Sequence, residues 1–180
     1  MEVAVETVDV GVKESEIAAK VEHTLFEGTE NYAGDYAAIP SMINAGVRSG
    51  GPHFTASNDE LQSGTPVNME WAGVVHRYHS PLARSVYLGD PPDRLARAAD
   101  IVLDGIDAAL DAVEPGITCE AVERAWREVI SGTFVEKESR IGYSTGIGYP
   151  PNWVEKSAHL RPGDTTVLEE NMVFHMIPGY

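Results

Sequence analysis

The chain repeats itself once, and few folds are compatible with that. Residues 8–29 read VDVGVKESEIAAKVEHTLFEGT and residues 113–133 read VEPGITCEAVERAWREVISGT. Gly11 aligns with Gly116, Val12 with Ile117, and Gly28-Thr29 with Gly132-Thr133. Each copy reads as a turn at glycine, an N-cap at Ser15 or Thr118, an amphipathic helix and a glycine stop. Further on, Gln62–Glu70 resembles Glu169–His175, so the offset stays near 105 residues. Two copies predict a pseudo-symmetric pair of α+β halves, because a solenoid needs about three or more units. The halves fall at 8–89 and 114–180. Between them an apolar stripe (Leu95, Ala98, Ala99, Val102, Ile106, Ala109, Leu110, Val113) predicts a connecting helix over 93–113, with Pro91-Pro92 and Pro115-Gly116 at its ends. In the first half, 67–75 and 78–88 read as two strands around a turn. The first half has only Met1–Thr7 where the second has its helix, and the chain stops after the outgoing strand that matches 67–75, without a counterpart to the return strand over 78–88. This pattern predicts a domain incomplete at both ends.

Charge narrows the partners. Against 28 Asp and Glu stand 13 Lys and Arg, a formal net charge of −15, where a small domain carries about 2–8 in magnitude. Nucleic acid and anionic lipid are excluded as partners, since either needs a basic patch. The acidity reads either as a merely acidic surface or as a salt-adapted one whose self-repulsion is screened at high ionic strength. A 43% hydrophobic content supports a real core. The single cysteine, Cys119, forms no internal disulfide and fits a reducing cytoplasm. The sequence shows neither a leader pattern nor an apolar run of about 18 residues.

Among the six histidines, His23 and His159 read as surface residues. His53 follows Ser49-Gly50-Gly51-Pro52, a loop open enough for close ligand approach. His76 and His79 flank a hairpin turn, on opposite faces of an extended strand, which disfavours a shared metal. Glu70 lies in a strand between apolar neighbours, where a carboxylate has to be paired or functional. His175 sits in the related strand of the second half. It is either satisfied by local backbone or, with Glu70, lines a central cleft. P-loop, nucleophile-elbow and dinucleotide patterns are absent.

These landmarks resemble the creatinase/aminopeptidase P family, whose pita-bread fold joins two pseudo-symmetric α+β halves. The resemblance rests on Gly50-Gly51-Pro52-His53, on residues 70–89 (EWAGVVHRYHSPLARSVYLG), on Gly142–Gly148 and on Met176-Ile177-Pro178-Gly179. It implies a dinuclear metal site whose ligand positions fall on Glu70, Pro81, Thr145 and Ile177, with a further histidine position at Asn152. Most of these cannot hold a divalent cation, so no metal and no cofactor is expected. Tyr-Pro-Pro-Asn-Trp (149–153), Leu-Arg-Pro-Gly-Asp (160–164) and Phe-His-Met (174–176) are similar to the family's ectoine hydrolase branch. That resemblance implies a metal-independent C–N hydrolase that opens a small cationic or zwitterionic amidine. His53 is the implied catalytic base, and Glu70, His79, His175 and Arg84 (with Arg140 as an alternative to Arg84) the implied substrate contacts. The other readings are a metal-dependent Xaa-Pro dipeptidase or aminopeptidase and a non-catalytic solute-binding relic. A cytoplasmic homodimer acting on a small molecule is the implied setting.

Overall fold

In the computed structural model, which describes residues 1–51 and 53–179, the chain divides into two units. Unit 1 is Met1–Pro91 with Gly146–Trp153, and unit 2 is Pro92–Thr145 with Val154–Tyr180. Unit 1 holds α1 (Glu2–Thr7), α2 (Glu14–Glu27), β1 (Met42–Ala45), a 3-10 turn at Gly46–Gly50, β2 (Pro66–Val75) and β3 (Tyr78–Tyr87). Then follow α3 (Asp93–Asp111), α4 (Cys119–Ile130), β4 (Gly142–Tyr149), β5 (Asn152–Leu160) and β6 (Phe174–Met176). The 146–153 stretch, which the sequence assigns to the second half, joins unit 1 because Ile147 pairs with Tyr78.

The duplication extends to individual backbone hydrogen bonds. In unit 1, Gly11 N–H donates to Leu61 O, Leu61 N–H to Val12 O, Glu14 N–H to Asp59 O and Ser15 N–H to Ser57 O. In unit 2, Gly116 donates to Leu168 O, Leu168 to Ile117 O, Cys119 to Thr166 O and Glu120 to Asp164 O. Gly11 and Gly116 both take positive φ, +86° and +99°, where a Cβ would be strained. The second part of the repeat is shifted by two residues from the sequence offset. Leu61 answers to Leu168, and Gly64 to Asn171, both at positive φ. In this register Asn68 is the counterpart of His175, and Glu70 of Ile177.

The same bonds correct the expected caps. The residues preceding α2 and α4 are Lys13 and Thr118, and neither makes a side-chain cap. The orphan N–H groups of each helix start are instead satisfied by carbonyls of the segment that returns beside it, so a side-chain cap is unnecessary.

In unit 1, β2 pairs antiparallel with β1 and β3 in an unbroken register from Pro66↔Tyr87 to Val75↔Tyr78. Strand alternation then sorts the side chains. Val67, Met69 and Trp71, with Ile43 from β1, pack under α1 and α2 against Ala4, Ile17 and Val21. Asn68, Glu70 and Ala72 face the other way. In unit 2, β4 pairs with β6 through Tyr143↔His175, and the core gathers Ala98, Ala109, Val122, Trp126, Ile130, Ile141 and Leu160. Gly105 of α3 lies against the Trp126 indole, where a Cβ would come 2.6 Å from Cδ1. Only glycine allows this close helix approach, and it buries Trp126 completely. The outer rim of the predicted α3 stripe, Leu110 and Val113, is exposed.

Candidate active site

Glu70 lies mid-strand in β2, between Met42 of β1 and Ala83 of β3. It is half-buried, and desolvation raises its pKa above the usual carboxylate value; the nearby His53 imidazole partly offsets this. The structure thus brings His53 and Glu70 within electrostatic reach of each other. His53 is exposed, with its backbone in the left-handed region at φ +60°. Its loop is tied to the sheet face that carries Glu70. Asn68 Nδ2 donates to Ser49 O (2.9 Å), and Thr55 bridges to Met42. In the amide orientation that satisfies both ends, Asn44 donates to Phe54 O (2.9 Å). Pro52 of the loop motif, like Tyr180, lies outside the described residues.

His79 shares the Glu70 face, paired with Val74 four residues further along β2. It is fully buried, and its two ring nitrogens are engaged by backbone. Nε2 accepts from Ala38 N–H (3.0 Å), which leaves Nδ1 as the donor to Arg77 O (2.9 Å). Its pKa is lowered chiefly by desolvation. A neutral ring held this way orders the hairpin, and the structure places both its polar atoms on main chain rather than toward a ligand. His76 sits in the turn itself, so the expected opposite-face relation with His79 gives way to a two-residue turn. His76 and Arg77 both take positive φ, +50° and +66°, the signature of a type I′ hairpin. No glycine is present, and contacts compensate: Arg77 reaches Gly148 O (2.7 Å), Asp35 (3.3 Å) and Tyr36 O, and lies over the Tyr36 ring at 3.9 Å.

Arg84 pairs with Met69, so the pleat puts it on the sheet face opposite Glu70, exposed and donating to Ala83 O (2.7 Å). The expectation that it shares a site with Glu70 is not met. A shift of one residue along a strand reverses the face.

In unit 2, His175 is buried, with Nδ1 2.8 Å from the Tyr143 hydroxyl. Desolvation lowers its pKa to about 4. A histidine neutral when folded and near 6.5 when unfolded takes up its proton more readily in the unfolded chain. Its contribution is therefore present above about pH 6.5 and lost as pH falls toward about 4, a change of about 3 kcal/mol at about 1.4 kcal/mol per unit. Urea unfolding of His175→Phe should accordingly show a weaker pH dependence than wild type between pH 4 and 6.5. Equal slopes would show that His175 is not held neutral. Arg140 is engaged by His159 Nδ1 (3.1 Å) and lies over the Tyr143 ring at 4.5 Å.

The family-implied metal positions carry Glu70, Pro81, Thr145 and Ile177. Pro81 sits in register with Ala72, on the Glu70 face and one strand over, and has no donor atom to offer. Among the described residues, no group of three or more His, Cys, Asp or Glu comes together. This donor set does not fit a dinuclear centre. Residues missed from sequence are Asn44 and Asn68, which share the Glu70 face with its loop anchors, and Glu14. The signal for Glu14 was a charge on the apolar helical stripe of Ile17 and Val21.

The profile of metallopeptidase family M24 matches residues 1–180, and the chain belongs to this family. It is a hydrolase family member with the pita-bread fold. An uncharacterized hydrolase/peptidase of Sinorhizobium fredii is 41% identical over 179 residues, 99% of this chain and 46% of that protein. The ectoine hydrolase of Halomonas elongata is 35% identical over 180 residues, 97% of this chain and 45% of that protein. The prolidase from Pyrococcus furiosus superposes with a TM-score of 0.82 at 28% identity, over 97% of this chain and 50% of that one. The chain spans about half the length of the relatives it matches.

Proposed function

We propose that this chain carries the catalytic pair of a metal-independent hydrolase that opens a small cationic or zwitterionic amidine, with ectoine as substrate. The observation that carries the reading is the tie of the His53 loop to the sheet face that holds Glu70, through Asn68 to Ser49 O and Thr55 to Met42, where the family's paired metal ligands are replaced by one carboxylate and a proline. Glu70 is the partner of the amidinium. Burial opposes its charged form in the free protein, and a bound cation would relieve that opposition. His53 takes a proton from water as the oxygen bonds to the amidine carbon, then returns it to the departing ring nitrogen as the C–N bond breaks. For ectoine the product is N-acetyl-diaminobutyrate. Likeness to an ectoine hydrolase supports the substrate.

The test is hydrolysis of ectoine and of an Xaa-Pro dipeptide by the same purified chain, with and without chelator. Expected are ectoine turnover that chelator leaves intact and a metal content well below one ion per chain. Chelator-sensitive Xaa-Pro cleavage would assign the chain to the peptidase reading instead. Calorimetric binding of ectoine without product would make it a solute-binding relic.

The Glu70 charge also sets a stability signature. A carboxyl with a raised folded pKa binds its proton more tightly when folded. Stability is then lost as pH rises from the unfolded value near 4.5 through the higher folded one. Glu70→Gln should therefore raise the unfolding midpoint at pH 7 and leave it nearly unchanged below pH 4, while abolishing amidine binding. A Gln variant less stable than wild type at pH 7 would refute the raised pKa.

A further inference from the structure

Glu14 is 1% exposed and spaced with Ile17 and Val21 on the buried stripe of α2, a costly place for a carboxylate unless it is fully satisfied. Both oxygens are in use. Oε1 accepts from Ala45 N–H (2.7 Å), and Oε2 accepts from Ser57 N–H (2.7 Å) and from Arg48 Nη1 (2.5 Å). Arg48 in turn donates through Nη2 to Thr55 O (2.6 Å) and lies over the Phe54 ring, 5.6 Å from its centroid. One buried carboxylate thus reaches the chain on both sides of His53. The residue between those anchors has the left-handed φ of +60°, a conformation that persists only where its surroundings enforce it.

The internal duplication supplies a control for what this carboxylate does. Its counterpart in unit 2 is Cys119, which opens α4, donates its N–H to Thr166 O as Glu14 does to Asp59 O, and is fully buried. The Cys119 thiol is pushed up to about 11 by desolvation and stays neutral in the apolar core. The same helix start and the same backbone ladder therefore form without a charge at this helix position. The carboxylate stands in the unit that carries His53, and its partners lead to the His53 loop.

We infer that Glu14 and Arg48 are positioning residues for His53: the buried ion pair fixes the left-handed loop backbone and keeps the imidazole on the Glu70 side of the sheet. The inference rests on the reading of His53 as the base. It predicts that weakening the pair changes the order of the loop and the chemical step, and leaves substrate capture by Glu70 in place.

Arg48→Lys keeps the charge but loses the fork to Thr55 O, and Glu14→Gln keeps the shape but loses the charge. Both are made in the full chain and measured well below their unfolding midpoints. Backbone order parameters at Phe54 and Thr55 should fall from about 0.85 to below about 0.6. Ectoine kcat should fall at least about tenfold with KM within about threefold of wild type, the pattern of an interaction used in the chemical step. In a His53→Asn background the same substitutions should add no further loss, because they act through the imidazole. Unchanged loop order, or a lower midpoint with kcat intact, would overturn the positioning role. Should Glu14→Gln fail to fold, Arg48→Lys, whose side chain is 31% exposed, decides alone. Loop order that falls as predicted, in a chain whose His53→Asn variant keeps full turnover, would uphold the clamp and reject His53 as the base.

Discussion

Replacing His53 by asparagine should lower ectoine hydrolysis by about 10²–10⁴-fold, the usual contribution of a positioned general acid–base. Asparagine is the informative choice because it tolerates the left-handed backbone that His53 adopts, so the loop is kept and the base alone removed. The imidazole is exposed, and away from catalysis the substitution should shift stability by no more than about 0.5 kcal/mol. Turnover measured at saturating and limiting substrate should show the loss in kcat, with substrate capture by Glu70 preserved. Undiminished turnover would remove the imidazole from the mechanism and leave Glu70 as a binding group only.

Glu14→Ala should destabilise the chain by roughly 3–5 kcal/mol, the scale for removing one partner of a buried ion pair. The change orphans the N–H groups of Ala45 and Ser57 and strips Arg48 of its carboxylate. Equilibrium urea unfolding at pH 7 checks this, and a loss under about 1 kcal/mol would mean that water takes over the vacated contacts. The sign is opposite to that expected of Glu70→Gln. Two partly or wholly buried carboxylates in the same unit thus serve different ends. Glu14 is satisfied by three donors and holds structure together. Glu70 is desolvated, with its ionisation eased by His53. On the proposed reading, a bound amidinium would relieve that desolvation.

The proposed pairing of His53 with Glu70 was only half visible in the sequence. Glu70 stood out because a lone carboxylate among Met69, Trp71 and Ala72 breaks an apolar strand, and His53 because it ends a glycine-rich loop. That the His53 loop comes beside the strand carrying Glu70 was not readable from their separation along the chain. It follows from antiparallel pairing, which sets Met42 beside Glu70, and from the bridge of Thr55 to Met42. Arg84 shows the converse. The resemblance implies it as a cation for the substrate carboxylate, and the register turns it to the other face.

Local patterning alone determined the duplication, the helices over 14–27 and 93–111 to within a few residues, and the β2–β3 hairpin with its turn at His76-Arg77. Such features depend on spacing within one element, which the chain carries in its own order of apolar, glycine and polar residues. The helix caps, the β4–β5 strands, the inward role of Glu14 and the backbone engagement of His79 were decided by tertiary structure. In each of these a residue's fate depends on which distant backbone group arrives beside it, and a donor or acceptor from 40 positions away leaves no mark in the sequence around it.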